Sequence, residues 1–109
     1  MLDYTITRND TPTSAEELSD ILANPGFGKH FTDHMVTIDW TEEKGWHDAQ
    51  VRPYGPMSMA PASNVFHYGQ AIFEGIKAYR QPDGSIATFR PDHNAQRFIN
   101  SAERLAMPE

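Results

Sequence analysis

The spacing of apolar residues changes along the chain and first predicts a helix followed by two strands. Residues 14–23 form the helix, because Ser14 lies three positions before Glu17 in a capping-box arrangement. A Pro-Gly pair then ends it, since residues before proline avoid the helical region. From Asp33 to Trp40 apolar and polar residues alternate, which predicts a strand. Residues 46–52 predict its return strand.

The second half of the chain predicts a hairpin between two helical segments. Residues 65–73 are apolar and predict one or two helical turns. Residues 76–80 and 85–90 are strand-like and are joined by an Asp-Gly turn, which favours a β-hairpin. Pro91 suits the first turn of a final helix, whose apolar residues recur at helical spacing as far as Ala106. The element order predicts an α+β fold with a mainly antiparallel sheet.

Composition limits how much of a core the chain can form by itself. A chain of 109 residues holds one domain at most. Its 4 Leu, 7 Ile, 3 Val and 6 Phe make up only 20 of those residues, a low share for a globular protein. The two Trp, four Tyr and five Met add apolar volume. We therefore expect a folded piece whose core is completed by sequence outside it.

Charge and segment type narrow the classes of partner. The formal net charge is −6 and the basic residues are scattered, so we expect no nucleic-acid partner, which would require clustered Lys and Arg. No apolar stretch approaches the roughly 20 residues of a membrane span, and no signal peptide is visible. These features predict a cytoplasmic protein that does not bind membranes. The absence of cysteine excludes disulfides and thiolate chemistry.

Four residues are candidates for binding on residue type and spacing. His30 and His34 have the i, i+4 spacing of a helical metal pair, but on an extended chain they lie roughly 13 Å apart, so we expect no metal site. Phe27 stands between two glycines and is either a plug for the local core, which spacing alone favours, or a wall of a pocket. Arg97 lies beside the apolar stripe of the final helix. An arginine there can bind a phosphate bidentately or simply be solvated.

A series of short motifs resembles the N-terminal domain of branched-chain amino acid aminotransferases. The resemblance covers residues 27–109, and its strength lies in the order and spacing of the matches rather than in any one of them. The matching motifs are Phe27-Gly28-Lys29, Phe31-Thr32-Asp33-His34-Met35, Gly45-Trp46, His67-Tyr68, Phe73-Glu74-Gly75-Ile76-Lys77-Ala78-Tyr79 and Phe89-Arg90-Pro91.

The resemblance implies a domain organisation and a cofactor. Residues 1–26 would be an N-terminal tail with a short helix, and residues 27–109 part of the small domain of a fold-type IV enzyme that uses pyridoxal 5'-phosphate. The larger domain, which carries the cofactor-binding lysine in this family, would lie outside the chain. The cofactor would sit between the two domains of each subunit in a homodimer.

The resemblance also implies residue roles. Arg97 matches the arginine that holds the cofactor phosphate. Phe27, Tyr68 and Phe73 match aromatic residues that line the apolar pocket for the substrate side chain. None of the three lysines of the chain (Lys29, Lys44 and Lys77) matches the lysine that binds the cofactor, so we expect no catalytic residue here.

The implied reaction is a ping-pong transamination in branched-chain amino acid biosynthesis. It would move an amino group between leucine, isoleucine or valine and 2-oxoglutarate, giving glutamate and a branched 2-oxo acid. We expect the chain to be inactive by itself. Two alternatives remain open: a relative of D-amino acid aminotransferase or aminodeoxychorismate lyase, and a non-catalytic module for binding or dimerisation.

Overall fold

The computed structural model describes residues 2–108. They divide into two compact units, of which the first ends at Ser58 and the second begins at Met59. Met1 and Glu109, the outer ends of the predicted segments 1–26 and 27–109, lie outside the described residues. The first unit contains β1 (Thr5–Ile6), α1 (Ala15–Ala23), β2 (His34–Thr41) and β3 (Gly45–Pro53). The second contains α2 (Asn64–His67), β4 (Ala78–Arg80), β5 (Ile86–Thr88) and α3 (Pro91–Arg104).

Helix α1 begins where its capping residue predicts. The hydroxyl of Ser14 accepts a hydrogen bond from the backbone N–H of Glu17 at 3.2 Å. This bond gives one of the otherwise unpaired N–H groups of the first turn a partner. The helix ends at Ala23, ahead of the Pro-Gly pair, so the predicted element is confirmed at both ends.

Strands β1, β3 and β2 form a three-stranded sheet in that order. The predicted pairing of β2 and β3 is confirmed as antiparallel. Its register shifts after Thr37, and the opposing Asp48 takes a positive φ of 51°, which is the signature of a bulge in β3. Strand β1 lies at the other edge of β3 and runs parallel to it, with Thr5 opposite Gln50.

The carboxylate of Asp33 links the residues just before α1 to the residue just before β2. Asp33 accepts hydrogen bonds from the backbone N–H of Thr13 at 3.1 and 3.2 Å and from its hydroxyl at 2.6 Å. These bonds hold the pKa of Asp33 below its ordinary value, mainly through the Thr13 hydroxyl. Nearby, the rings of Phe31 and Tyr54 stack with centroids 5.2 Å apart.

The second unit consists of a β-hairpin and a long helix, with the short α2 before them. Strands β4 and β5 pair antiparallel around the predicted turn, where Gly84 has a φ of 84°. Helix α3 has Pro91 in its first turn, as predicted, and runs to Arg104. Helix α2 is a single turn, shorter than the predicted helical segment, and residues 68–77 form no regular element.

Very little of either unit is buried. Among residues 2–108 only Ala49 and Ala102 are buried hydrophobic residues, and no large side chain is fully enclosed. Most of the Phe, Tyr, Leu and Ile side chains keep a large exposed fraction. The three helices and two small sheets confirm the predicted α+β class. The sparse apolar content therefore forms two lightly packed units.

None of the helices within residues 2–108 has the length and apolar character needed to cross a bilayer.

The first prediction concerns the cap of α1. Replacing Ser14 with Ala removes the side-chain acceptor for the Glu17 N–H and should destabilise the helix by about 1 kcal/mol. Amide hydrogen exchange should accelerate in residues 15–23 and stay unchanged in α3. The Ser14→Asp variant, which retains an acceptor, should keep the wild-type protection. Equal protection in Ser14→Ala would show that the cap does not stabilise α1.

Candidate functional site

Arg97 forms a side-on ion pair with Glu74. The residue lies in the second turn of α3, and its Nε donates to Oε2 of Glu74 at 2.5 Å. Its Nη2 donates to the other carboxylate oxygen, Oε1. The two parallel hydrogen bonds make this a bidentate pair, the strongest arrangement available to arginine and a carboxylate. One edge of the guanidinium is therefore fixed by a residue of the same unit.

Glu74 has two further donors and is the more enclosed partner. Its Oε1 accepts from the backbone N–H of Gly75 at 2.8 Å and from Asn94 Nδ2 at 3.2 Å. Asn94 also donates to the carbonyl of Gly75 at 2.9 Å, so α3 binds both the side chain of Glu74 and the backbone that follows it. The Glu74 side chain is 13% exposed, whereas that of Arg97 is 69% exposed. The glutamate is the fixed member of the pair.

The electrostatics follow from this geometry. Hydrogen bonding to Arg97 is the main cause that lowers the pKa of Glu74 from 4.5 to about 2. Partial burial opposes this effect, and the hydrogen bonds from Gly75 and Asn94 lower the pKa further. The same pair raises the pKa of Arg97 above its ordinary value. Both groups are therefore charged throughout the physiological pH range.

Arg97 also lines a hollow on the surface of α3. This hollow, of about 550 Å³, contains a second cation, Arg104, and the polar side chains of Asn100 and Ser101, but not Glu74. The Ser101 hydroxyl donates to the Arg97 carbonyl at 2.9 Å within the helix. Two apolar side chains, Ile72 and Leu105, complete the lining. The hollow therefore combines two cations, which can bind an oxyanion, with an apolar surface.

The three predicted substrate-facing aromatics are almost entirely exposed. Phe27, Tyr68 and Phe73 keep 100%, 82% and 92% of their surface accessible. Phe27 stands in a loop between Gly26 and Gly28, whose φ angles of 62° and 67° suit glycine, and its ring packs against no part of the local core. The interpretation of Phe27 as a core plug, which spacing alone favours, is therefore wrong.

The structure brings only some of the predicted site residues together. Phe73 directly precedes Glu74 and lines a groove of about 450 Å³ with Asn94 and Phe98 of α3, so it lies close to the ion pair. Tyr68 is the residue at the end of α2 in the same unit. Phe27 belongs to the first unit.

His34, one of the two histidines with the spacing of a helical metal pair, has a backbone partner instead. His34 lies in β2, as predicted, and its Nε2 accepts the backbone N–H of Asn9 at 2.9 Å. Within residues 2–108 no group of three or more His, Asp or Glu side chains is arranged to hold a metal ion.

Glu74 and Asn94 are the site residues that sequence reasoning missed. Glu74 lies inside a motif that matches the family, but its partner Arg97 is 23 positions away along the chain. Neither helical periodicity nor strand alternation links residues at that separation. The available signal was the opposite charge of Glu74, which lies in a family motif, and Arg97, which lies on the final helix.

Comparison with known proteins gives a consistent set of relatives. The chain is 65% identical over 98 residues to a protein of Streptomyces coelicolor described as a probable branched-chain-amino-acid aminotransferase, covering 90% of this chain and 27% of that protein. It is 57% identical over 108 residues to the branched-chain-amino-acid aminotransferase of Mycolicibacterium smegmatis, covering 99% of this chain and 29% of the relative.

A third relative is more distant in coverage but carries a similar name. The branched-chain-amino-acid transaminase 1 of Bacillus subtilis is 53% identical over 83 residues, which are 76% of this chain and 23% of that protein. No protein-family model matches the chain. The chain thus spans less than a third of the length of these three relatives.

The second prediction concerns the titration of Glu74. Because its pKa is lowered in the folded state, its stabilising contribution is complete above the ordinary pKa of 4.5 and is lost as the pH falls toward about 2. In Arg97→Ala the pKa of Glu74 should rise toward the ordinary value. As the pH falls, what remains of the stabilising contribution of Glu74 should then be lost at a higher pH than in the wild type. Carbon-detected NMR of the Glu74 carboxyl group measures this shift directly.

A matched control separates the ion pair from the general field of the helix. Arg104→Ala removes the same charge from α3 but no hydrogen bond to Glu74. The Glu74 titration should therefore stay close to that of the wild type in Arg104→Ala. An equal rise in both variants would contradict a specific pair.

Proposed function

We propose that this chain, which belongs to the branched-chain-amino-acid aminotransferase family, contributes cofactor-binding and substrate-binding contacts to a longer transaminase. The reaction would exchange an amino group between leucine, isoleucine or valine and 2-oxoglutarate by a ping-pong mechanism. The observation that carries the proposal is the fixed but exposed guanidinium of Arg97 beside the groove lined by Phe73. The names of the relatives supply the reaction class.

The side chains around Arg97 fit the phosphate group of pyridoxal 5'-phosphate. A phosphate needs charge-assisted donors with fixed geometry, and Arg97 has a constrained guanidinium that is still 69% exposed. Arg104 adds a second positive charge to the same hollow. The cofactor, when bound, supplies an electron sink that allows the amino group to leave one carbon and join another. In this proposal, Arg97 binds and orients the phosphate end.

The exposed aromatics fit a pocket for aliphatic side chains. Leucine, isoleucine and valine present only methyl and methylene groups beyond their common backbone, so shape is the means by which a protein can recognise them. Phe73 and Tyr68 offer large apolar faces in the second unit, and Phe27 offers one in the first. We propose that Phe73 and Tyr68 exclude water from the substrate side chain once the rest of the enzyme covers them. For Phe27, the same role is what the family resemblance implies.

The remaining chemistry belongs to sequence outside the chain. We propose that the lysine which takes up and releases the proton, and the carboxylate which pairs with the cofactor ring, come from the larger part found in the relatives. The exposed apolar side chains would contact that part and a second subunit. A homodimer in the cytoplasm with branched-chain amino acids and 2-oxo acids as its substrates completes the proposal.

The third prediction tests the role of Arg97 in the longer protein. Arg97→Ala should weaken the affinity for pyridoxal 5'-phosphate about 10- to 100-fold, because each charge-assisted hydrogen bond contributes about 1.5–3 kcal/mol. Transamination of leucine with 2-oxoglutarate should fall accordingly and recover at high cofactor concentration. The measurements are equilibrium dialysis of the apoenzyme and a coupled assay for glutamate. Absence of transamination in the wild-type protein would reject the proposed function.

The fourth prediction tests the substrate pocket. Phe73→Ala removes a ring from the proposed pocket and should lower kcat/KM for leucine at least tenfold, since each methylene contact contributes about 1–3 kcal/mol to discrimination. The value for alanine, which lacks the branched side chain, should change much less. Phe89→Ala, which removes another exposed ring of the same unit, is the matched control. Equal losses for leucine and alanine would place Phe73 outside the pocket.

A further inference from the structure

The ion pair uses one edge of the Arg97 guanidinium and leaves another available. Glu74 engages Nε and Nη2, which together form the side-on edge. Among the hydrogen bonds within residues 2–108, none involves Nη1, so the end-on edge formed by Nη1 and Nη2 still has N–H groups to donate. An arginine carries five such N–H groups in a rigid plane. One arginine can therefore hold a carboxylate and an oxyanion at the same time.

Each member of the ion pair lines a different one of the two hollows described above. Glu74 and Asn94 line the groove that contains Phe73 and Phe98, but Arg97 does not. Arg97 and Arg104 line the other hollow, but Glu74 does not. The carboxylate that binds Arg97 is therefore not part of the lining of the basic hollow.

Glu74 is itself held firmly enough to direct the arginine. Its carboxylate accepts from Gly75 and Asn94 in addition to Arg97, and its side chain is largely enclosed. Asn94 lies about one turn before Arg97 on α3. The same helix therefore carries Arg97 and, through Asn94, holds Glu74. A free arginine has many rotamers, whereas this one has a plane defined by two parallel hydrogen bonds.

We infer that Glu74 is a positioning residue, which with the support of Asn94 orients Arg97 so that its end-on edge receives the phosphate of the cofactor. The inference rests on the proposed role of Arg97. It predicts that the Glu74 carboxylate aids phosphate binding by holding Arg97 in place, although charge alone would make a carboxylate repel a phosphate. Orientation and repulsion thus make opposite predictions for the loss of Glu74.

The experiment compares two cofactor forms in the longer enzyme. The affinities for pyridoxal 5'-phosphate and for pyridoxal, which lacks the phosphate, are measured on the apoenzyme by equilibrium dialysis. Their ratio isolates the phosphate contact, because a general disturbance of the fold would weaken both ligands alike. Glu74→Gln should lower this ratio about tenfold, and Asn94→Ala should lower it less, since the ion pair itself remains.

Two further variants separate charge from geometry. Glu74→Asp keeps the charge but shortens the side chain by one methylene, so it should behave like Glu74→Gln if orientation is what matters. Glu103→Gln removes a carboxylate from α3 that makes no bond to Arg97, and its ratio should equal that of the wild type. In an Arg97→Ala background, Glu74→Gln should have no additional effect, because the residue acts through the arginine.

The outcomes distinguish this inference from the proposed function. If Arg97→Ala lowers the ratio but Glu74→Gln leaves it unchanged or raises it, Arg97 binds the phosphate and the positioning role of Glu74 is rejected. If Arg97→Ala leaves the ratio unchanged, the proposed role of Arg97 fails, and the inference fails with it. A lower ratio in both variants, with no additional loss in the double variant, supports both.

Discussion

The carboxylate of Glu74 is the junction on which the organisation of the second unit depends. It receives hydrogen bonds from its own neighbour Gly75 and from two residues of α3, Asn94 and Arg97. Residues 68–77 form no helix or strand, so these bonds replace the repeating backbone pairing that would otherwise fix the segment. Because Phe73 directly precedes Glu74, the same junction sets where an exposed aromatic ring stands relative to an exposed guanidinium. A structural ion pair and a candidate binding site are therefore one arrangement.

The first unit uses a comparable device. Asp33 accepts three hydrogen bonds from Thr13 and so connects the approach to α1 with the approach to β2. In both units a carboxylate joins a loop to a regular element, and in both the apolar interior is small, with Ala49 and Ala102 as the buried hydrophobic residues described. Polar links specify geometry, but they contribute less net stability than apolar burial does. This explains how two lightly packed units can keep defined loops while leaving large apolar side chains accessible.

Sequence reasoning succeeded where the determining interaction was local. The Ser14 cap, the Asp-Gly turn and Pro91 each act within three or four residues, and the elements they predict are present. It failed where the determinant was distant or tertiary. Glu74 and Arg97 are 23 positions apart in the chain. Thr5 and Gln50, which lie opposite each other where β1 pairs parallel with β3, are 45 positions apart. The sequence around Phe27 also does not determine its full exposure, because glycine permits the positive φ angles of its two neighbours but does not require them.

An arginine that binds a phosphate must satisfy two opposing demands, and the geometry of Arg97 shows how both can be met. A freely moving side chain is accessible but loses conformational entropy when it binds, whereas a fully engaged side chain is ordered but has no donors to offer. The planar guanidinium resolves the conflict because its two edges can serve different partners. With Nε and Nη2 bound to an enclosed carboxylate, the side chain is already ordered, while its remaining donors stay in solvent. A lysine ammonium also has several donors, but it has no fixed plane that would hold two partners in defined directions. The residue type itself therefore supports a role that combines order with access.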